Sequence, residues 1–182
     1  VRSWVQWRRT GSTGFVLPRR DAPWLERLGA VAFVGAIVLF AVAPMVEGGR
    51  LHALDNAAAA LAGCVMAIAG IGLCVAAQFT MGDSWRIGVD VSAHTSLVTT
   101  GIFSIVRNPI FSSMILAAFG FALLLPNAYA FAAVVVLLGG LELQVRFVEE
   151  PYLRSAHGDR YVSYAASAGR FVPGIGRAKV AA

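Results

Sequence analysis

Apolar residues in this chain gather into four long blocks separated by polar stretches. Leu25 to Val46 is a run of 22 residues. As a helix it spans about 33 Å, enough to cross the hydrocarbon core of a bilayer. Asn56 to Phe79 is the second block, and Ala59, Gly63, Ala67 and Gly70 recur along it every three or four positions. Small residues at that spacing let helix backbones approach closely in a membrane. Pro109 to Leu125 and Ala128 to Phe147 are the third and fourth blocks, joined by the uncharged turn Pro126-Asn127. This pair reads as a helical hairpin, with Pro109 at a first helical turn where proline is tolerated. At 17 residues the third block is short, so the hairpin sits shallow or thins the bilayer locally. The pattern predicts an all-α, polytopic membrane protein with about four transmembrane helices.

The polar stretches add the rest of the outline. Residues 1 to 24 carry Trp4, Trp7, Arg8, Arg9, Arg19, Arg20 and Trp24, the composition of an interfacial segment with Trp at headgroup depth. The chain starts at Val1 rather than Met, so a further membrane helix could precede Trp4. Thr80 to Asn108 is the longest irregular polar stretch in the interior, and long loops often carry function. From Glu149 the chain is polar again. Pro151 is expected to break or kink the fourth helix near Val148. A helix over about Pro151 to Ala166 follows, and Gly169 to Pro173 reads as an extended tail, so that 149 to 173 forms a C-terminal cap.

Composition agrees: 58% of residues are hydrophobic and 14% charged, where a soluble domain carries about 25% charged residues. The net charge of +5 does not point to nucleic acid, because no basic-aromatic pattern of such a module is present. The basic residues cluster at helix ends instead. With four crossings, fourteen of the fifteen fall on one side and Arg50 on the other. The positive-inside rule makes the richer side cytoplasmic. It also puts the central loop and the C-terminal segment on one face. Cys64 and Cys74 lie ten residues apart, roughly 15 Å along a helix, too far to bridge. His52, His94 and His157 are scattered, so no metal site is expected. There is no phosphate-binding loop, dinucleotide glycine fingerprint or nucleophile elbow.

Two regions could carry chemistry. Glu142 and Arg146 are four apart at the cytoplasmic end of the fourth helix, and Glu149 extends their face. They form either an interfacial ion pair or a polar site at the membrane mouth, since ionisable groups at membrane depth are costly and pair or line cavities. The second region is Leu97-Val98-Thr99-Thr100-Gly101-Ile102-Phe103, followed by Arg107-Asn108-Pro109-Ile110-Phe111.

That second region resembles the isoprenylcysteine carboxyl methyltransferase and phospholipid methyltransferase superfamily, whose pattern is Leu-Val-x-x-Gly-x-Tyr and then Arg-His-Pro-x-Tyr. The later segment is similar too, through Glu149-Glu150, Leu153, His157-Gly158, Tyr161, Tyr164 and Arg170-Phe171-Val172-Pro173. The resemblance implies S-adenosylmethionine as cofactor, held on the cytoplasmic side. It implies a pocket lined by Leu97, Val98, Phe103 and Asn108 to Phe111, with Gly101, Arg107, Pro109 and Tyr161 from the same motifs. It matches Glu149 to the acid that meets the cofactor's amino group, with Glu150 beside it. Arg146 and His94 each lie one position from a family residue. In this sequence Asn108 stands for the usual histidine, and Phe103 and Phe111 for tyrosines. Asn keeps hydrogen bonding and loses the charge.

Methyl transfer from a sulfonium needs a well-placed nucleophile and little else. A carboxylate acceptor needs a cation such as Arg146 or Arg86 to orient it. An amine acceptor needs a base such as Glu142. The arginines favour a carboxylate or other oxygen acceptor on a lipophilic molecule or lipid entering laterally. An NADPH-dependent reductase similar to the sterol reductases, and a non-catalytic protein of the same fold, are the competing expectations.

Overall fold

The computed structural model describes residues 4, 7, 8, 23–46, 56–82 and 96–178. Four apolar helices dominate it: α1 (Trp24–Val46), α2 (Ala57–Thr80), α3 (Pro109–Leu124) and α4 (Ala128–Gln144). Two shorter amphipathic helices follow, α5 (Glu150–His157) and α6 (Asp159–Ser167). Among the described residues there is no strand, and the architecture is all-α. α1, α2 and the continuous rod Ala128–His157 are each long and apolar enough to cross a membrane. α3 is a shorter apolar helix of 16 residues, about 24 Å long.

α2 packs along α3 and α1 along α4, while α3 and α4 touch over a shorter stretch. The hairpin therefore occupies the middle, flanked by α2 on one side and α1 on the other. Small residues make this possible. A Cβ built on Gly70 would stand 2.5 Å from the Ala117 nitrogen, and one on Gly63 would stand 2.9 Å from the Gly120 oxygen. Gly29 of α1 meets Gly140 of α4 in the same way. Close backbone approach of this kind is how membrane helices gain van der Waals contact without a hydrophobic drive between them. Beside the seams, Ala36, Ala43, Ala118, Ala122, Val134, Leu137 and Leu141 form the core, with Phe33, Phe40, Phe111 and Phe171 packed against it.

Polar capping sets the helix ends. Asn56 accepts from the Ala59 N–H at 3.1 Å and Asn127 from the Ala130 N–H at 3.0 Å, each satisfying an orphan donor of the first turn. The Asn127 amide also donates to the Ala43 carbonyl at 3.0 Å, tying the hairpin tip to the end of α1. At the opposite end, Gly29 faces Gly140 and Gln144, and Gly101 faces Thr80. The start of α1, the end of α2, the start of α3 and the end of α4 thus share one end of the molecule.

Three expectations change. Pro151 does not end the fourth helix. A π turn over Val145–Glu149 carries α4 into α5, and the Glu150 N–H bonds the Val145 carbonyl. That i to i−5 pattern absorbs the hydrogen bond that proline cannot make. The helix expected over Pro151 to Ala166 is split by Gly158, at φ +54°, a conformation that suits glycine. The tail expected as extended turns back on itself, with the Arg170 N–H donating to the Ile175 carbonyl at 2.8 Å. Gly174 and Gly176 supply the left-handed residues at φ +77° and +74°.

The seam gives a direct test. Gly70→Ala would force a methyl into the α3 backbone and lower stability by about 1–3 kcal/mol. Gly72→Ala, two residues on and facing away from the seam, with nothing within 4 Å of its Cβ position, should leave it within about 0.5 kcal/mol. Thermal unfolding in detergent compares the two, and equal midpoints would refute the seam.

Candidate functional site

The stretch Leu97 to Phe111 gathers the polar end of the molecule. Gly101, at φ +61°, opens a 3₁₀ turn over Gly101–Ser104, where the Ser104 hydroxyl donates to the Gly101 carbonyl at 2.7 Å. The chain then runs parallel to the returning C-terminal segment. The Gly169 N–H donates to Ile105 at 3.2 Å, the Arg107 N–H to Gly169 at 2.7 Å and the Asn108 N–H to Arg170 at 3.2 Å. A Cβ at Gly169 would collide with the Val172 carbonyl, so only glycine permits this approach. The Asn108 amide adds a second donor to the Arg170 carbonyl, at 3.2 Å. The Ser112 hydroxyl donates to the Phe171 carbonyl at 2.6 Å.

Arg107 is the buried centre of this assembly, its side chain 3% exposed. Nη1 donates to the Ala165 and Ala168 carbonyls, both at 2.8 Å. Nη2 donates to Glu150 Oε1 at 2.8 Å and to the Gly176 carbonyl at 3.1 Å. Nε is buried without a partner. One side chain thus holds the end of α6, the tail and α5 to the central stretch. A buried cation persists only when paired and hydrogen-bonded in this way.

The π turn completes the charge arrangement. Glu142 and Glu150 are eight residues apart, which on an uninterrupted α-helix would put them about 80° out of line. The wide turn takes up one extra residue, and their offset falls to about 20°. One guanidinium then reaches both. Arg170 donates through Nε to Glu150 Oε1 at 2.8 Å, through Nη2 to Glu150 Oε2 at 3.0 Å and through Nη1 to Glu142 Oε1 at 3.2 Å. The Glu150 hydrogen bonds keep the Arg170 pKa above its ordinary value, against burial, and Glu142 adds to them. Glu142 also accepts from Arg146 Nε at 2.5 Å. The result is an alternating ladder, Arg146, Glu142, Arg170, Glu150, Arg107, with a cation at each end. Arg146 keeps both Nη groups free among the described residues. No cation pairs with Glu149 among them either, and Glu149 is drawn instead to the Gln144 side chain.

A cleft of about 620 Å³ opens between residues 97–104 and α6. Leu97 and Tyr164 line it with Thr99, Ser104, Asp159 and Ser163. Its volume is in the range of small-molecule sites, about 300–1,000 Å³. The Tyr164 hydroxyl donates to the Phe103 carbonyl at 2.7 Å, and Tyr161 packs edge-on against Tyr164. Burial pushes both phenols up to about 12.

The predicted residues separate into two groups. Phe103, Arg107, Pro109 and Tyr161 are buried and serve as internal packing. Leu97, Val98, Gly101, Asn108, Phe111, Glu149 and Glu150 keep exposed surface, as do Glu142 and Arg146. Arg86 and His94 lie outside the described residues. The spacing alone did not single out Arg170, Asp159 or Ser163. Asp159, Ser163 and Ser167 recur every four residues, and that helical spacing was the available signal for the cleft. Arg170 had no local signal, because both its partners are distant in sequence.

Comparison with known proteins bears on this site. The family model described as phospholipid methyltransferase matches residues 58–160, which include the central stretch, the hairpin and the Glu149-Glu150 pair. No curated protein matches the chain.

Replacing Arg107 with Leu leaves Glu150 to Arg170 alone and removes the buried contacts to α6 and the tail. The expected loss is about 3–5 kcal/mol, read as a lower unfolding midpoint and faster proteolysis within residues 168–178. Unchanged protection there would contradict the arrangement. The phenols give a pH signature. The folded protein holds their protons more tightly than the unfolded chain does, whose tyrosines titrate near 10. The stability they contribute is complete below pH 10 and is lost as pH rises toward 12, by up to roughly 1.4 kcal/mol per pH unit for each. Tyr164→Phe should flatten that decline in a series of thermal melts.

Proposed function

The chain belongs to the phospholipid methyltransferase family, and we propose that it is a membrane enzyme that uses S-adenosylmethionine to methylate a lipophilic acceptor at its cytoplasmic face. The observation that carries this reading is the division of labour in the acidic pair. Both carboxylate oxygens of Glu150 are engaged by Arg107 and Arg170, whereas Glu149 faces no cation among the described residues. A carboxylate without a cation fits the amino group of the cofactor's methionine end, and the cleft between residues 97–104 and α6 has a volume suited to a small molecule. Leu97 and Tyr164 offer an apolar floor for a nucleoside, and Asp159 with Thr99 and Ser163 offers acceptors for sugar hydroxyls. Phe103, Arg107, Pro109 and Tyr161 act through the walls they build.

S-adenosylmethionine, when bound, supplies an electrophilic methyl group. The chain's own residues orient the acceptor and keep its proton state. Glu142 already accepts from Arg146 and Arg170 at one oxygen, so its carboxylate is committed to the ladder. Arg146, with its Nη edge free among the described residues, suits an oxyanion acceptor held in a bidentate contact. Transfer to a carboxylate breaks one sulfur–carbon bond and forms one oxygen–carbon bond, and no proton moves. This favours a carboxylate or other oxygen acceptor over an amine. The charge distribution supports this sidedness: with four crossings the sequence assigns fourteen of its fifteen basic residues to one side, which the positive-inside rule makes cytoplasmic.

Calorimetric titration of the detergent-purified protein with S-adenosylhomocysteine tests the cofactor. Binding is expected for the wild type, with a loss of about tenfold or more in Glu149→Ala, matching the removal of a charge-assisted hydrogen bond. NADPH should produce no heat. Absence of any response to S-adenosylhomocysteine would overturn the reading.

A further inference from the structure

The C-terminal tail carries an apolar tip that neither the helix seams nor the charge ladder uses. Val172-Pro173-Gly174-Ile175 closes a turn of the type II pattern. The Ile175 N–H donates to the Val172 carbonyl at 3.1 Å, proline takes the second position, and Gly174 the third at φ +77°. Val172 is 50% exposed and Ile175 66%, with Pro173 exposed between them. No charge occurs from Phe171 to Gly176, whereas Arg170 and Arg177 flank the segment. Turns that face water are ordinarily polar, and here the large side chains at both ends of the turn are aliphatic.

Three contacts fix where this tip sits. Phe171 packs against the core that α1, α3 and α4 share. The Ser112 hydroxyl, in the first turn of α3, donates to the Phe171 carbonyl at 2.6 Å. The Asn108 amide donates to the Arg170 carbonyl at 3.2 Å. The residue just before the tip is therefore held among the membrane helices, at the end where α3 begins. Trp24, 70% exposed at the start of α1, marks the same end, in the place of an interfacial aromatic.

We propose that the Val172–Ile175 turn is an interfacial anchor, seated in the headgroup–acyl boundary of the bilayer beside the start of α3. The bilayer is the occupant that the chemistry fits: the root is held by membrane helices, the tip is apolar, and the flanking charges are cationic and suit lipid phosphate. A tip with two large aliphatic side chains falls far short of the area that a stable protein interface needs, but is enough to favour lipid over water. The consequence reaches the charge ladder. The Arg170 N–H donates to the Ile175 carbonyl at 2.8 Å, so the turn closes on the residue whose guanidinium bridges Glu150 and Glu142. Seating in lipid thus holds Arg170 in place and fastens the cap to the bilayer, in addition to the anchorage at Arg107. The proposal requires only that the helices span a membrane and is independent of the cofactor.

Spin-label accessibility in phosphatidylcholine–phosphatidylglycerol nanodiscs tests the seat, with Cys64 and Cys74 both replaced by Ala. Two references bracket the result: Val65→Cys, 56% exposed on α2, for lipid, and Ser155→Cys, exposed on α5, for water. A label on Ile175→Cys should show an oxygen to nickel–EDDA accessibility ratio several-fold above that at Ser155 and approaching that at Val65. A ratio equal to that at Ser155 overturns the proposal. So does a label shielded from both reagents, which would mean that protein covers the turn. Hydrogen exchange gives an independent reading. Because the Ile175 side chain is exposed, Ile175→Asn removes little packing within the protein. In nanodiscs it should nonetheless speed exchange at the Arg170 amide about tenfold, with Ile175→Leu matching the wild type. Exchange in Ile175→Asn as slow as in the wild type would also overturn the anchor.

Discussion

The polar end of this protein depends on a buried cation. Arg107 stands where the central stretch meets α3, and its guanidinium has almost no access to water. Its burial is tolerable because α5, α6 and the tail each supply an oxygen to it. The dependence runs both ways. Without those oxygens the cation would be destabilising, and without the cation three distant segments would lose their common anchor. The membrane helices form a scaffold of close backbone seams, and this guanidinium joins the cap to that scaffold.

The π turn does comparable work for the acidic residues. Pro151 removes a hydrogen bond that an ordinary helix would need, and the chain answers with a wider turn instead of a break. The same widening rotates Glu150 into line with Glu142, so Arg170 bridges them. A local covalent constraint therefore sets the alignment of a charge ladder whose members are 63 residues apart between Arg107 and Arg170. The ladder leaves Glu149 without a cation among the described residues and Arg146 with an open edge. Those two groups are the ones with chemistry still to offer, and the rest of the cluster is engaged in holding them.

Asn108 shows how a departure from the family pattern is accommodated. The site needs a donor toward the returning tail, and the amide provides it at the Arg170 carbonyl. Charge at this position is not needed for that contact. The departure therefore changes what the position can do as an acid or base more than it changes the fold.

Much was legible without coordinates because membrane burial writes itself into composition. The four apolar blocks predicted the helices to within one residue at most ends, since hydrocarbon demands internally satisfied backbone and apolar side chains over a minimum length. The small-residue face of α2 and the hairpin were legible for the same reason, and motif order pointed to the family. The proline effect at Pro151 was legible as an interruption, but its geometry was not, because a π turn and a kink answer the same missing N–H; the split at Gly158 was not legible, and the sequence carried one helix through it. The pairing of Arg170 with Glu142 and Glu150 and the burial of Arg107 belong to tertiary structure alone. They depend on where distant segments meet, and no local pattern of residues encodes a meeting across separations of 20 to 69 positions.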